Sequence, residues 1–155
     1  MSKRSEGEKK MRVTKPRIDR MLRLANASVK KWRQRLRVDG KWEVEVCYKH
    51  DYLVDEHEKV DKKAYIVFDD DVAQYWKVTL CMYRPLMEDP DAPSIIDTYV
   101  AHEMGHHLMW QFSSFAKNLA NRQQPIIDEL EKLEEQVVQQ LEEIWTQVKW
   151  PRKIL

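Results

Sequence analysis

Residues 98–110 read TYVAHEMGHHLMW, three histidines and a glutamate set into an otherwise apolar run. Imidazoles are costly on an apolar face unless something satisfies them. Side chains four residues apart lie one turn apart on the same side of a helix, so His102 and His106 can chelate one ion. Glu103 sits about 100° further round, placed to reach a water beside that ion rather than the ion itself. Ile95, Tyr99, His102, His106 and Met109 fall on one stripe at helical spacing, which turns both histidines inward. His107 points elsewhere and reads as a supporting or surface residue. Ser94, with Asp97 three residues on, has the form of an N-cap, so this helix is expected from near Ile95 to about Asn121.

The elements on either side follow from periodicity. Residues 1–14 are polar and unpatterned and read as a disordered basic tail. Pro16 suits a first helical turn, and Ile18, Met21, Leu22, Ala25, Val29, Trp32 and Leu36 recur at steps of three and four. A basic amphipathic helix is therefore expected over 15–38, closed by Asp39-Gly40, with Arg20, Arg23, Lys30, Lys31, Arg33 and Arg37 opposite its apolar face. Three strand-like runs come next. Trp42, Val44 and Val46 alternate with Glu43, Glu45 and Cys47, and AYIVF (64–68) and YWKVTLCMY (75–83) are rich in aromatic and β-branched residues. The stretch 50–62, HDYLVDEHEKVDK, reads as an acidic loop in which His50 and His57 are scattered surface residues. Asp69-Asp70-Asp71 reads as a turn. Pro85, Pro90 and Pro93 predict an irregular connection, and a last helix runs from Pro125 to before Pro151. The fold class is α+β, a small sheet of three or slightly more strands packed on the histidine-bearing helix, in the order α-β-β-β-α-α.

At 155 residues the chain is long enough for one domain, expected over 15–155, with 43% apolar and 34% charged residues. It has no apolar run of membrane-spanning length and no hydrophobic leader, so a cytoplasmic protein without a membrane partner is expected. Cys47 and Cys81 lack metal-type spacing and read as reduced, largely buried thiols. The net charge of +1 hides a division. Residues 1–39 carry 14 basic and 4 acidic side chains, a net of +10, and the remainder nets −9. Such asymmetry fits either a helix face docked on the acidic remainder or contact with nucleic acid through residues 1–38.

A catalytic zinc takes three protein ligands and leaves a position for water. Met109 and Phe112 stand where a third histidine of an extended motif would fall, so the third ligand must come from another element. The last helix has a stripe of Ile127, Leu130, Glu134, Val137, Leu141, Ile144 and Val148, in which Glu134 is the one carboxylate. A buried lone carboxylate is expensive, and ligation of a divalent ion removes the difficulty. Glu134 is the favoured ligand. Glu135, which turns away if the phase is right, stands second in case the phase is off by one residue.

His102-Glu103-Met104-Gly105-His106 is a complete HExxH. With the preceding strand YWKVTLCMY and the downstream EEQVVQQL, it resembles the minimal, single-domain HExxH metallopeptidases of the gluzincin type found in phages and bacteria. The resemblance covers about residues 40–148. It implies a zincin-like fold and one zinc ion held by His102, His106 and Glu134, with Glu103 as general base. It further implies a protein or peptide substrate aligned by strand addition, here along Trp76 to Met82. Larger gluzincins carry a C-terminal subdomain that is not recognisable here, and Tyr83, Tyr99 or His107 stand as equal candidates for a transition-state donor. Two other readings are a non-catalytic zinc-stabilised interaction module and a peptidase tethered to nucleic acid through its basic helix.

Overall fold

A computed structural model describes residues 10–37, 43–54, 61–68, 77–121 and 123–149. Helix α1 (Lys15–Leu36) has Pro16 in its first turn and ends at Arg37, whose left-handed backbone (φ 50°) caps it. Its apolar stripe is core, as the periodicity predicts. Met21, Ala25, Val29 and Trp32 are buried, and Ile18, Leu22 and Leu36 pack against them.

Strands β1 (Glu43–Lys49), β4 (Ala64–Phe68) and β5 (Lys77–Tyr83) form a mixed sheet in the order β1-β5-β4. Parallel pairing runs from Glu43↔Lys77 to Lys49↔Tyr83, and β4 joins β5 antiparallel through Ala64↔Met82 to Phe68↔Val78. Central β5 buries nearly every residue whereas β1 alternates, because a strand with neighbours on both edges and helices against it has little polar surface to present. This corrects one expectation: both edges of β5 are already paired, so it has no free backbone for a substrate strand. Among the described residues the outer edges belong to β1 and β4. The stretch read as an acidic loop contains a short antiparallel ribbon of β2 (Leu53–Val54) and β3 (Asp61–Lys62).

Helix α2 (Arg84–Glu88), with Pro85 in its first turn, occupies the start of the segment expected to be irregular. Helix α3 (Ala92–Leu119) starts three residues earlier than the sequence predicts. Its N-cap residue is Asp91, and Ser94 Oγ donates to the Asp91 carbonyl (2.7 Å). Asp97 is not a capping residue at all. It takes hydrogen bonds from Ser28 Oγ, Lys31 Nζ (2.5 Å) and Trp32 Nε1 (3.1 Å), and so docks α1 on α3. Helix α4 (Gln124–Gln147) runs back along α3.

Of the tail, residues 10–14 are placed. The Met11 amide donates to the Glu88 carbonyl (2.7 Å), and Val13 packs on the core. Residues 1–9, Trp42, His57, the 69–71 turn, Tyr75 and Trp76 lie outside the described residues. No helix among the described residues is long and apolar enough to cross a membrane.

Candidate metal centre

Gly105 determines how closely the two helices of the site approach. A Cβ at this position would lie 2.8 Å from Val138 Cγ1, so only glycine lets α3 and α4 meet at this separation. Val138 is fully buried, whereas Val137, Ile144 and Val148 of the anticipated core stripe are 39%, 56% and 45% exposed. Helix α4 is thus rotated by about one residue from the phase its apolar pattern indicates. The face it turns to α3 carries Glu135, Val138, Glu142 and Trp145.

That rotation assembles the site. The Nε2 atoms of His102 and His106 face each other at 3.3 Å. Glu135 spans them, one oxygen 2.9 Å from His102 Nε2 and the other 3.1 Å from His106 Nε2. These three residues can each offer a ligand atom to one ion, all within 4.8 Å of one another. Glu134, first on the sequence argument, binds the far side of the same ring, its oxygen 2.9 Å from His106 Nδ1. Glu142, which the sequence reading passes over, does the same for His102 Nδ1 at 2.9 Å. Two nitrogens bound about 2.0–2.1 Å from one tetrahedral zinc lie roughly 3.3 Å apart. A carboxylate on each Nδ1 fixes the tautomer that leaves Nε2 free to ligate. The donor set therefore fits a divalent ion such as zinc.

The electrostatics point the same way. Burial opposes charge on His106, but Glu134, Glu135 and Glu103 outweigh it and hold its pKa at about 9. His102 is also raised: burial works against its charge, and the Glu135 hydrogen bond with the Glu103 charge prevails. Hydrogen bonds from both histidines push Glu135 far below the carboxylate range. For Glu134 burial pulls upward, yet His106 and Ser113 bring it down. Four glutamates converging on two imidazoles make a pocket that calls for positive charge. Glu135 is the most open of the group, its side chain 53% exposed against 19% for each histidine. Access from solvent is over this carboxylate.

Glu103 is buried, 6% exposed, where its charge is felt by His102, His106 and Cys81. His107, read as supporting or surface, is in the core at 6% exposure, and burial together with Arg33 pushes its pKa down to about 4. Tyr83 is buried at the end of β5, and the Tyr99 ring lies 5.7 Å from Lys63 Nζ. His50 is exposed and paired with the Tyr48 hydroxyl (2.7 Å). Cys47 and Cys81 are free thiols in register on adjacent strands, their sulfurs 3.4 Å apart, and burial with the Cys47 contact pushes Cys81 up to about 12. No protein-family description, curated protein or solved structure matches this chain.

Proposed function

We propose that this protein is a zinc-dependent peptidase in which His102, His106 and Glu135 hold the ion and Glu103 is the general base. The observation that carries the reading is the pair of Nε2 atoms 3.3 Å apart under Glu135, with both Nδ1 atoms held by carboxylates. When bound, zinc supplies an acidified water and a Lewis acid for the scissile carbonyl. Glu134 and Glu142 keep the imidazoles in the ligating tautomer and orientation. Glu103 accepts a proton from the attacking water and returns it to the leaving amine. Its burial strengthens these charge interactions and keeps bulk water from competing. Among the described residues the strand edge nearest α3 that remains unpaired belongs to β4, so an extended substrate is aligned there rather than on β5.

The test is zinc content by elemental analysis together with hydrolysis of a fluorogenic unfolded protein. Wild type is expected to bind one zinc per chain and to cleave, and Glu103→Gln to keep the zinc and lose cleavage by at least about two orders of magnitude. Full activity in Glu103→Gln removes the catalytic assignment. One tightly held zinc without hydrolysis by wild type identifies a metal-stabilised interaction module instead.

A further inference from the structure

The apolar stripe that α4 does not turn to the core is still present, and it is exposed. Ile126, Leu133, Val137 and Ile144 of α4, and Val148 that caps it, follow one another at heptad-like spacing, each between 39% and 56% exposed. Helix α3 has a matching stripe at steps of four, three and four: Leu108, Phe112, Phe115 and Leu119, with Phe112 and Leu119 at 74% and 70% exposed. Both stripes lie on one side of the hairpin. Gly105 and Val138 mark the line where α3 and α4 touch. At 100° per residue, His106 and Glu135 turn to one side of that line and both apolar stripes turn to the other. The result is a two-helix apolar face opposite the metal centre. With each fully exposed large side chain worth roughly 200 Å², these nine residues present about 1,000 Å², more than most monomers leave open and enough for one partner's share of a stable interface.

We infer that a second copy of this chain covers this face, the two hairpins packing as a four-helix interface about a twofold axis. Charge selects this occupant. The exposed rim of α4 beside the stripe carries Glu129, Gln136, Gln140, Glu143 and Gln147, and its one lysine, Lys132, is paired with Glu129 (3.7 Å), so this rim has no net positive charge to attract nucleic acid or an anionic membrane surface. Helix α1 borders the hairpin where α3 begins and α4 ends, its Lys31 bonded to Asp97 of α3 and its Trp32 ring 6.2 Å from that of Trp145 on α4. It carries 8 basic and 1 acidic residues, and α4 carries 7 acidic and 1 basic. A twofold axis along the helices sets the basic α1 of each copy over the acidic rim of the other's α4, so the apolar faces meet and the flanking charges are opposite.

Sedimentation velocity and light scattering on the full chain across micromolar concentrations test this, with zinc content and circular dichroism read alongside. Wild type is expected at twice the 18.7 kDa of one chain. Phe112→Lys and Val137→Lys are expected at the monomer mass with native dichroism and unchanged zinc, since the metal centre faces the other way. If a lysine variant does not fold, Phe112→Ala gives the same reading, raising the dimer dissociation constant at least about tenfold. High salt is expected to raise it as well, by screening the α1–α4 charges. A wild-type monomer at every concentration overturns the inference and leaves the face to a partner of another kind. A dimer whose dissociation constant these substitutions do not move overturns it too, by locating the interface elsewhere. Neither result bears on whether zinc binds.

Discussion

Neighbouring glutamates on α4 make different contacts, and at the proposed metal centre the difference is measurable. Glu135 faces both Nε2 atoms, while Glu134 faces only the outer nitrogen of His106. Removing a carboxylate that orients a ligating histidine costs about 10–100-fold in metal affinity. Removing a ligand costs more, because the ion loses a bond and two imidazoles are left facing each other. Glu135→Ala is therefore expected to weaken zinc well beyond 100-fold and Glu134→Ala to stay within the smaller range, both measured by competition with a chromophoric chelator. The reverse order would give Glu134 the ligand role. At this scale the sequence is informative about His102, His106 and Glu103, because spacing within one helix fixes which side chains share a face. It places Glu134 and Glu135 only relative to each other. Which of them meets the histidines depends on the rotation of α4, and nothing inside α4 determines that rotation.

The rotation is decided between elements. Along α4 the segment VVQQLEEIW offers two overlapping apolar faces, one through Val137 and Ile144, the other through Val138 and Trp145. Periodicity favours the first because it is richer. The second is buried because Val138 fits into the space left by Gly105, Trp145 meets Trp32 with ring centroids 6.2 Å apart, and the accompanying glutamates satisfy two histidines. Helix α1 has a single apolar face, so its burial is legible from sequence alone. The pairing of β5 on both sides depends on long-range register that no local pattern reports. Gly105→Ala tests whether close approach is what builds the site. Alanine gains about 1 kcal/mol in helix propensity. The new Cβ, 2.8 Å from a stiff β-branched side chain, costs about 1–3 kcal/mol in overpacking. The net is a loss of about 0–2 kcal/mol, so the melting temperature is expected to fall by no more than about 8 °C. Zinc affinity is expected to fall at least about tenfold as α4 is pushed away and Glu135 with it. An unchanged affinity would show that the helix pair yields without disturbing the carboxylate.

Across the whole molecule, the basic N-terminal quarter and the acidic remainder are held together by specific pairs. Arg17 donates to the carbonyls of Met87 (2.6 Å) and Asp89 (2.5 Å), and Asp97 collects Lys31, Ser28 and Trp32. The charge asymmetry visible in the sequence is thus used at least partly within the fold, and α1 is a core element: deleting it would remove Met21, Ala25, Val29 and Trp32 from the cluster they share with Leu80, Val100 and Met104. For Asp97, burial alone would raise the carboxyl pKa. The Lys31 and Ser28 bonds outweigh it and leave the pKa below the ordinary 3.8. A carboxylate depressed on folding contributes stability that is present above its unfolded pKa and disappears as pH falls through the folded one. The Asp97 contribution is therefore whole at neutral pH and is lost as acid is added below 3.8. Asp97→Asn keeps the shape and an acceptor oxygen but loses the charge on Lys31. Because that pair is partly exposed, the loss is expected to be about 1 kcal/mol at neutral pH. Urea unfolding followed by tryptophan fluorescence should show the gap between wild type and Asp97→Asn narrowing as pH drops below 3.8, since protonation gives the wild-type side chain the same neutral character. A gap that persists unchanged into strong acid would mean that Asp97 holds α1 by shape and neutral hydrogen bonding, not by charge.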